Sequence, residues 1–354
     1  MKQEACMKTV SRRDFLAATA TAGAVIASPS VLRAQARELV MIGYGSAQDE
    51  PLKRAGDILG KRHPGVSLRI IGGLSAEAIA QIKAARGASP YDFAVMGSPA
   101  IINAVDEGVL EKLDISKVPN AGNLDERFPP YAYDWGVPVS FAGIGIAYNK
   151  QMVANPPKTW SDLWKPDYAG KIGLCRPQSN LGLACISIGA AAFGKPDADT
   201  DFGLAKWKEL KPLVGRNPNL LQQMLERGEI GLCPLWHDNT GIAVSSGLPL
   251  GYAKVTGPGP LMLPTMIVKF ARTAHSDLVH EFADILLEKD SQEFASKPPY
   301  YFGTVIKGVL PPAGAAAYLP STPEEIASMT SVDWPKVAPN RGKIVEAFDR
   351  LFAA

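Results

Sequence analysis

ELVMIGYGSAQDEPLKRAGDILGK, residues 38–61, is an apolar run that ends in glycine and opens into a helical pattern. Residues 38–44 have strand composition. In residues 50–61, Leu52, Ala55, Ile58 and Leu59 fall on one helical face, and Pro64-Gly65 stops the pattern. The unit repeats. Residues 66–71 form a second strand that runs into Gly72-Gly73. Residues 75–86 form a helix with Ser75 as N-cap and Ala78, Ile79 and Ile82 on its inner face. Residues 92–96 form a third strand. Residues 98–107 follow as a helix, with Ile101, Ile102 and Val105 inward and Gly108 as its stop. Successive β-α-β units of this length predict an α/β fold with a parallel sheet and helices on both faces.

Beyond residue 118 the pattern changes. Residues 119–138, rich in Pro, Asn and aromatics, read as a loop. Residues 137–148 are one long apolar stretch without alternation. Strands are expected at 171–174, 229–235 and 265–270, with a Gly/Pro-rich passage at 257–264. Helices are expected at 181–193, 200–210, 220–227, 276–289 and 344–352. Two α/β bodies result. Lobe I takes residues 37–138 plus 264–310. Lobe II takes 139–263, including two crossovers near 139–145 and 252–263. Residues 311–354 form a C-terminal helical segment. A cleft between two such bodies, at the carboxyl ends of strands, is where ligands sit.

Residues 1–36 read as an address. Ser11-Arg12-Arg13-Asp14-Phe15-Leu16 carries paired arginines, a mildly apolar run follows to Ala27, and Ala34-Gln35-Ala36 supplies small residues for cleavage. The order is that of a twin-arginine-type signal peptide, which places the mature chain in the periplasm. A start at Met7 would leave the signal intact. The apolar run is too short to span a bilayer, which takes about 20 residues.

The formal charge is +2, but residues 1–36 hold five of the Lys/Arg and two of the Asp/Glu, which leaves 32 basic against 33 acidic residues. A near-neutral body without charge runs points away from nucleic acid and anionic membranes as partners. Apolar residues at 46% and charged residues at 20% suit a soluble globular chain with a sizeable core. Cys175, Cys185 and Cys233 remain after the leader. Their spacing is neither C-x-x-C nor zinc-like, so buried apolar cysteines are expected, with one disulfide plus a free thiol as the alternative.

No catalytic or cofactor motif emerges. The four histidines, His63, His237, His275 and His280, match no metal or triad spacing. Trp236-His237-Asp238-Asn239 at a strand end is open to three readings: a base with its orienting carboxylate, a polar ligand wall, or a structural loop. Neighbouring strand residues face opposite sides, which counts against the first. The pair Tyr300-Tyr301 is compatible with ferric iron, with a cleft wall or with core.

Several segments resemble one family, the extracellular solute-binding proteins of the spermidine/putrescine, iron and 2-aminoethylphosphonate receptor class. They are Tyr91-Asp92-Phe93-Ala94-Val95-Met96 with Gly108-Val109-Leu110 and Leu113-Asp114; Val137-Pro138-Val139 with Ala147-Tyr148-Asn149-Lys150; and Lys158-Thr159-Trp160-Ser161-Asp162-Leu163-Trp164 through Tyr168-Ala169-Gly170-Lys171-Ile172. The resemblance implies a two-lobed periplasmic-binding-protein type II fold with two crossover strands. It also implies a receptor rather than an enzyme, without a cofactor and as a monomer, that closes on a small-molecule solute and delivers it to an ABC-transporter permease in the inner membrane. The cleft positions it suggests are Tyr44 and Ser46, Ser98, Arg176, Ser179 and Asn180, Trp236 and Asp238, and Tyr300 or Tyr301. Polyamine receptors resemble one another in carboxylates and an aromatic-x-Asp in the second crossover. Here that crossover reads Gly259-Pro260-Leu261-Met262-Leu263-Pro264-Thr265, with neither, and Arg176 stands where a carboxylate would suit a diamine. An anionic or zwitterionic solute is therefore expected, with a polyamine or ferric-iron receptor as the alternative and a periplasmic enzyme as the remoter one.

Overall fold

The computed structural model describes residues 37–85, 89–128, 134–257 and 261–352, so the predicted leader lies outside the described residues. The strands are β1 (Arg37–Gly43), β2 (Val66–Gly72), β3 (Phe93–Gly97), β4 (Leu110–Glu111), β5 (Gly136–Asn149), β6 (Gly173–Cys175), β7 (Leu213–Gly215), β8 (Leu232–Trp236), β9 (Leu250–Ala253) and β10 (Leu261–Phe270). The helices are α1 (Glu50–Arg62), α2 (Ser75–Ala84), α3 (Ser98–Asp106), α4 (Asn180–Ala191), α5 (Thr200–Glu209), α6 (Pro218–Glu226), α7 (His237–Ser245), α8 (Ser276–Leu287), α9 (Lys289–Ser296), α10 (Pro323–Ala327), α11 (Trp334–Val337) and α12 (Arg341–Phe352).

The main sheet runs β2-β1-β3-β10-β5-β8, with β4 on β10 and β9 on β5, while β6 and β7 pair separately. β1, β2 and β3 are parallel, as the β-α-β pattern demands. β10 lies antiparallel to both β3 and β5, so the sheet is mixed rather than parallel. The reason is topological: β10 enters this sheet from the far side of the molecule, not through a crossover helix.

Two long strands carry the chain across. β5 is buried over almost its whole length, pairing with β10 through Ile144 and with β8 and β9 from Ile144 to Asn149. Being covered on both faces, it has no reason to alternate. The first sheet does alternate. Leu39, Met41, Phe93, Val95 and Ile267 face one core with Leu52, Leu59 and Phe282. Ile42, Ala94, Met96, Met266 and Val268 face another with Ile79, Ile82 and Ile101. Burying each such side chain contributes about 1.5–3 kcal/mol. A third core gathers Ile146, Leu174, Leu183, Ile186, Trp207, Leu232 and Leu235. Trp334, Val337, Ile344 and Phe348 of the C-terminal helices pack into it, and Met262 N–H donates to the Thr330 carbonyl at 2.8 Å beside β10.

Four local expectations are corrected. Leu74, not Ser75, is the N-cap of α2, and it makes no side-chain cap bond. β10 begins at Leu261, inside the passage read as irregular. Residues 237–245 form a helix, α7, where only a strand end was expected. The long helix near residue 280 ends at Leu287 and is followed by the separate α9.

Candidate functional site

A cavity of about 580 Å³ lies where the carboxyl ends of β1, β2 and β3 face the N-termini of α4, α6 and α7. That volume suits a small organic molecule. On one wall are Tyr44, Gln48 and two glycine turns. A Cβ on Gly72 would come 2.2 Å from the Gly45 Cα, so the β1 and β2 ends can lie together only without side chains. On the other wall two of the three helix starts are closed by a capping side chain. Ser179 Oγ accepts from Gly182 N–H at 3.0 Å, and Asn217 Oδ1 accepts from Leu220 N–H at 2.9 Å. Trp236 is the N-cap of α7. Ala142, Leu263, Thr265 and Phe302 also line the cavity, with Arg341 from the first turn of α12.

Four charged residues line the cavity: Glu77 and Arg216 are exposed, whereas Asp238 and Arg341 each hold a buried polar atom that no protein group satisfies. Asp238 is buried; its Oδ2 accepts from Gln48 Nε2, and its Oδ1 has no protein partner. Arg341 donates from Nη2 to Asn180 Oδ1 at 2.7 Å and from Nη1 to the Gln178 carbonyl at 3.2 Å. Its Nε is buried without a partner, and it forms no ion pair among the described residues. Burial lowers its pKa to about 10, so it stays a cation at neutral pH. Asp49, by contrast, is satisfied: its two oxygens accept from Tyr44 N–H at 2.7 Å and Gly45 N–H at 2.9 Å, fixing the first turn. Burial, then the Asp238 charge, push the Tyr44 phenol well above its ordinary range, so it is a neutral hydroxyl.

His237 and Asp238 do not make a base and its orienter. His237 Nδ1 accepts from Gly143 N–H at 2.5 Å, and Nε2 donates to the Tyr301 carbonyl at 2.6 Å. Both imidazole nitrogens are spent on backbone, while Asp238 turns to Gln48. The two side chains diverge, but as neighbours about 100° apart in the first turn of a helix, not as opposite faces of a strand.

Of the sequence-predicted positions, Tyr44, Ser179, Asn180, Trp236 and Asp238 line the cavity. Ser46 stands one step behind, capping the turn that carries Gln48. Ser98 is fully buried as the first residue of α3, after the N-cap Gly97, and does not line the cavity. Arg176 points away to Asp349 on α12. Tyr300 packs at a tilt against Phe294, whereas Tyr301 is buried with its hydroxyl 2.8 Å from Ser245 Oγ, so the two phenols diverge. Phe302, the next residue, lines the cavity in their place. Sequence reasoning also missed Gln48, Arg216, Asn217, Asn239 and Arg341; Gln48 adjoins a predicted turn, but Arg341 carries no local signal. Cys175, Cys185 and Cys233 are all buried and unbridged.

Comparison with known proteins agrees with this geometry. The family described as bacterial extracellular solute-binding protein matches residues 55–321. The "Gamma-aminobutyric acid-binding protein" of Pseudomonas aeruginosa is 24% identical over 326 residues, 87% of this chain and 89% of that protein. "Spermidine/putrescine-binding periplasmic protein 1" of Haemophilus influenzae is 25% identical over 221 residues, 60% of this chain and 61% of its own length. Among solved structures, an ABC transporter protein from Clostridium perfringens superposes with a TM-score of 0.69 at 22% identity, covering 89% of this chain and 99% of that one. That likeness carries the fold, the two-lobed periplasmic-binding-protein type II architecture with β5 and β10 as its crossing strands. The chain belongs to the bacterial extracellular solute-binding protein family, whose members bind solutes for transport.

Proposed function

We propose that the cavity takes a small zwitterion, its cationic end on Asp238 and its carboxylate on Arg341, and that the protein presents it to an ABC permease in the inner membrane. One observation carries the reading: an unpartnered carboxylate oxygen and an unpartnered guanidinium N–H are buried in the same cavity. Leaving either charge desolvated is costly, and a ligand with both complementary groups removes both penalties. The N-termini of α4 and α6 favour the anionic end further. The name of the Pseudomonas relative, γ-aminobutyric acid, is that of one such zwitterion. Binding energy would be realised on closure of lobe I (37–138 and 264–310) over lobe II (139–263), flexing at β5 and β10. The receptor would act as a monomer. A second reading, a polyamine solute, is favoured by Asp238 and by the Haemophilus relative's name, and opposed by Arg341.

The test is thermal melting of the exported protein against 4-aminobutyrate, aminoethylphosphonate, dicarboxylates, putrescine and spermidine. A ligand at a hundred times its Kd adds about 2.7 kcal/mol of stability. A rise with a zwitterion that is absent with putrescine supports the reading; a rise with polyamines alone replaces it with the second.

A further inference from the structure

Gln48 reaches Asp238 from the opposite wall of the cavity. It lies in the short turn Ala47–Asp49 after β1, whereas Asp238 is in the first turn of α7. Both are buried, at 6% and 2% exposure. The Gln48 amide has a defined orientation. Ser46 Oγ accepts from the Gln48 backbone N–H at 3.2 Å and donates to Gln48 Oε1 at 3.0 Å. The amide oxygen is thereby occupied, and Nε2 faces Asp238 Oδ2 and, at 3.5 Å, Asn239 Oδ1. Asn239 supports the same polarity, because its own amide nitrogen is turned away toward Asn219 Oδ1 and Gln222 Oε1. A flipped Gln48 would set an amide oxygen against a buried carboxylate.

The relay covers one carboxylate oxygen with a neutral donor and leaves Oδ1 bare. We infer that Gln48 is a specificity-determining residue that limits Asp238 to a single cationic group of the solute. This rests on the reading of the cavity as a solute site in which Asp238 meets the cation. An acceptor at position 48 would place two carboxylates together, a pair that either shares a proton or recruits a second ammonium. The difference between an amino acid and a diamine as solute then turns on whether one side chain presents nitrogen or oxygen to Asp238.

Isothermal titration of the full chain, purified after its own export, with 4-aminobutyrate and with putrescine tests this. Wild type is expected to prefer 4-aminobutyrate. Gln48→Glu should move the ratio of affinities toward putrescine by about tenfold or more, and Gln48→Ala, which uncovers Oδ2 without adding charge, should move it the same way by less. Ser46→Ala should weaken 4-aminobutyrate by about three- to tenfold with little change in the ratio, since it loosens the amide without altering charge. Circular dichroism of each variant separates a folding failure from a change in preference, and the alanine variant decides the matter if the glutamate variant does not fold. A ratio unmoved in both position-48 variants, with wild type still binding 4-aminobutyrate, overturns the inference alone. Wild type that binds neither solute, or that prefers putrescine, overturns the zwitterion reading and this inference with it.

Discussion

Arg176 is ion-paired with Asp349, which clamps the loop before α4 onto the last helix, α12. The same helix carries Arg341 in its first turn, bonded to Gln178 on that loop and to Asn180, the first residue of α4. Two arginines thus serve one joint in different ways, one toward solvent and one toward the cavity. Both partners of the Arg176 pair are more than a third exposed, so the pair contributes about 1 kcal/mol or less. Arg176→Ala should lower stability by no more than that and leave solute affinity within about threefold. Arg341→Ala should weaken a carboxylate-bearing solute by about ten- to a hundredfold, read by calorimetry. The reverse ranking would mean that Arg176 swings into the cavity when solute binds.

Acidification should destabilise the fold through two imidazoles. Burial lowers the pKa of His237 below the ordinary 6.5, against a smaller opposing effect of Asp238. Burial does the same to His280, which accepts from Asp114 N–H at 3.0 Å and donates to the Ser276 carbonyl. An unfolded chain takes up these protons near pH 6.5, whereas the folded chain resists them. Their stabilisation is complete above about pH 6.5 and is lost as pH falls toward the lowered folded values. Melting temperature should decline below that pH, and His237→Gln should make the decline shallower without abolishing it, because His280 remains. An unchanged profile in His237→Gln would show that the imidazole protonates freely in the fold.

Local pattern made the first three strands and helices legible, because each alternation or helical stripe is set within a dozen residues and faces one core. It failed where tertiary context decides. β10 was shortened because Pro264 and the glycines before it read as breakers, yet its pairing with β5 holds the strand to Leu261. α7 was missed because His237-Asp238-Asn239 is polar; those side chains are buried through partners on other elements, Gly143, Gln48 and Tyr301. Five cavity residues were legible because strand ends and helix starts must face a cleft in this architecture. Arg176 misled because its partner lies 173 residues away, and Arg341 stayed hidden because only the folded C-terminus brings it back to Asn180.

The three mature-chain thiols should be inert in the native protein. Burial pushes Cys175 up to about 12 and raises Cys185 and Cys233 well above their ordinary value, so almost no thiolate exists at neutral pH. Titration with an aromatic disulfide reagent should find no fast-reacting thiol before denaturation and three afterward. A fast thiol in the native state would place one of these cysteines at the surface.

Two glycines give the sharpest contrast in stability. A Cβ on Gly182 would lie 2.0 Å from the Arg176 carbonyl oxygen and 2.6 Å from that of Cys175, and these backbone atoms cannot rotate away. Gly182 exists so that the first turn of α4 can fold down on its own entry loop, which sets Ser179 and Asn180 at the cavity. Gly182→Ala should therefore cost about 1–3 kcal/mol and also weaken solute binding, because the loop must shift. On α12, a Cβ at the exposed Gly342 meets nothing within 4 Å. Gly342→Ala should raise stability by about 0.5–1 kcal/mol through helix propensity alone and leave binding unchanged. Chemical denaturation of both variants measures the two effects on one scale. Equal effects of the same sign would show that close backbone approach at the start of α4 is not what requires glycine there.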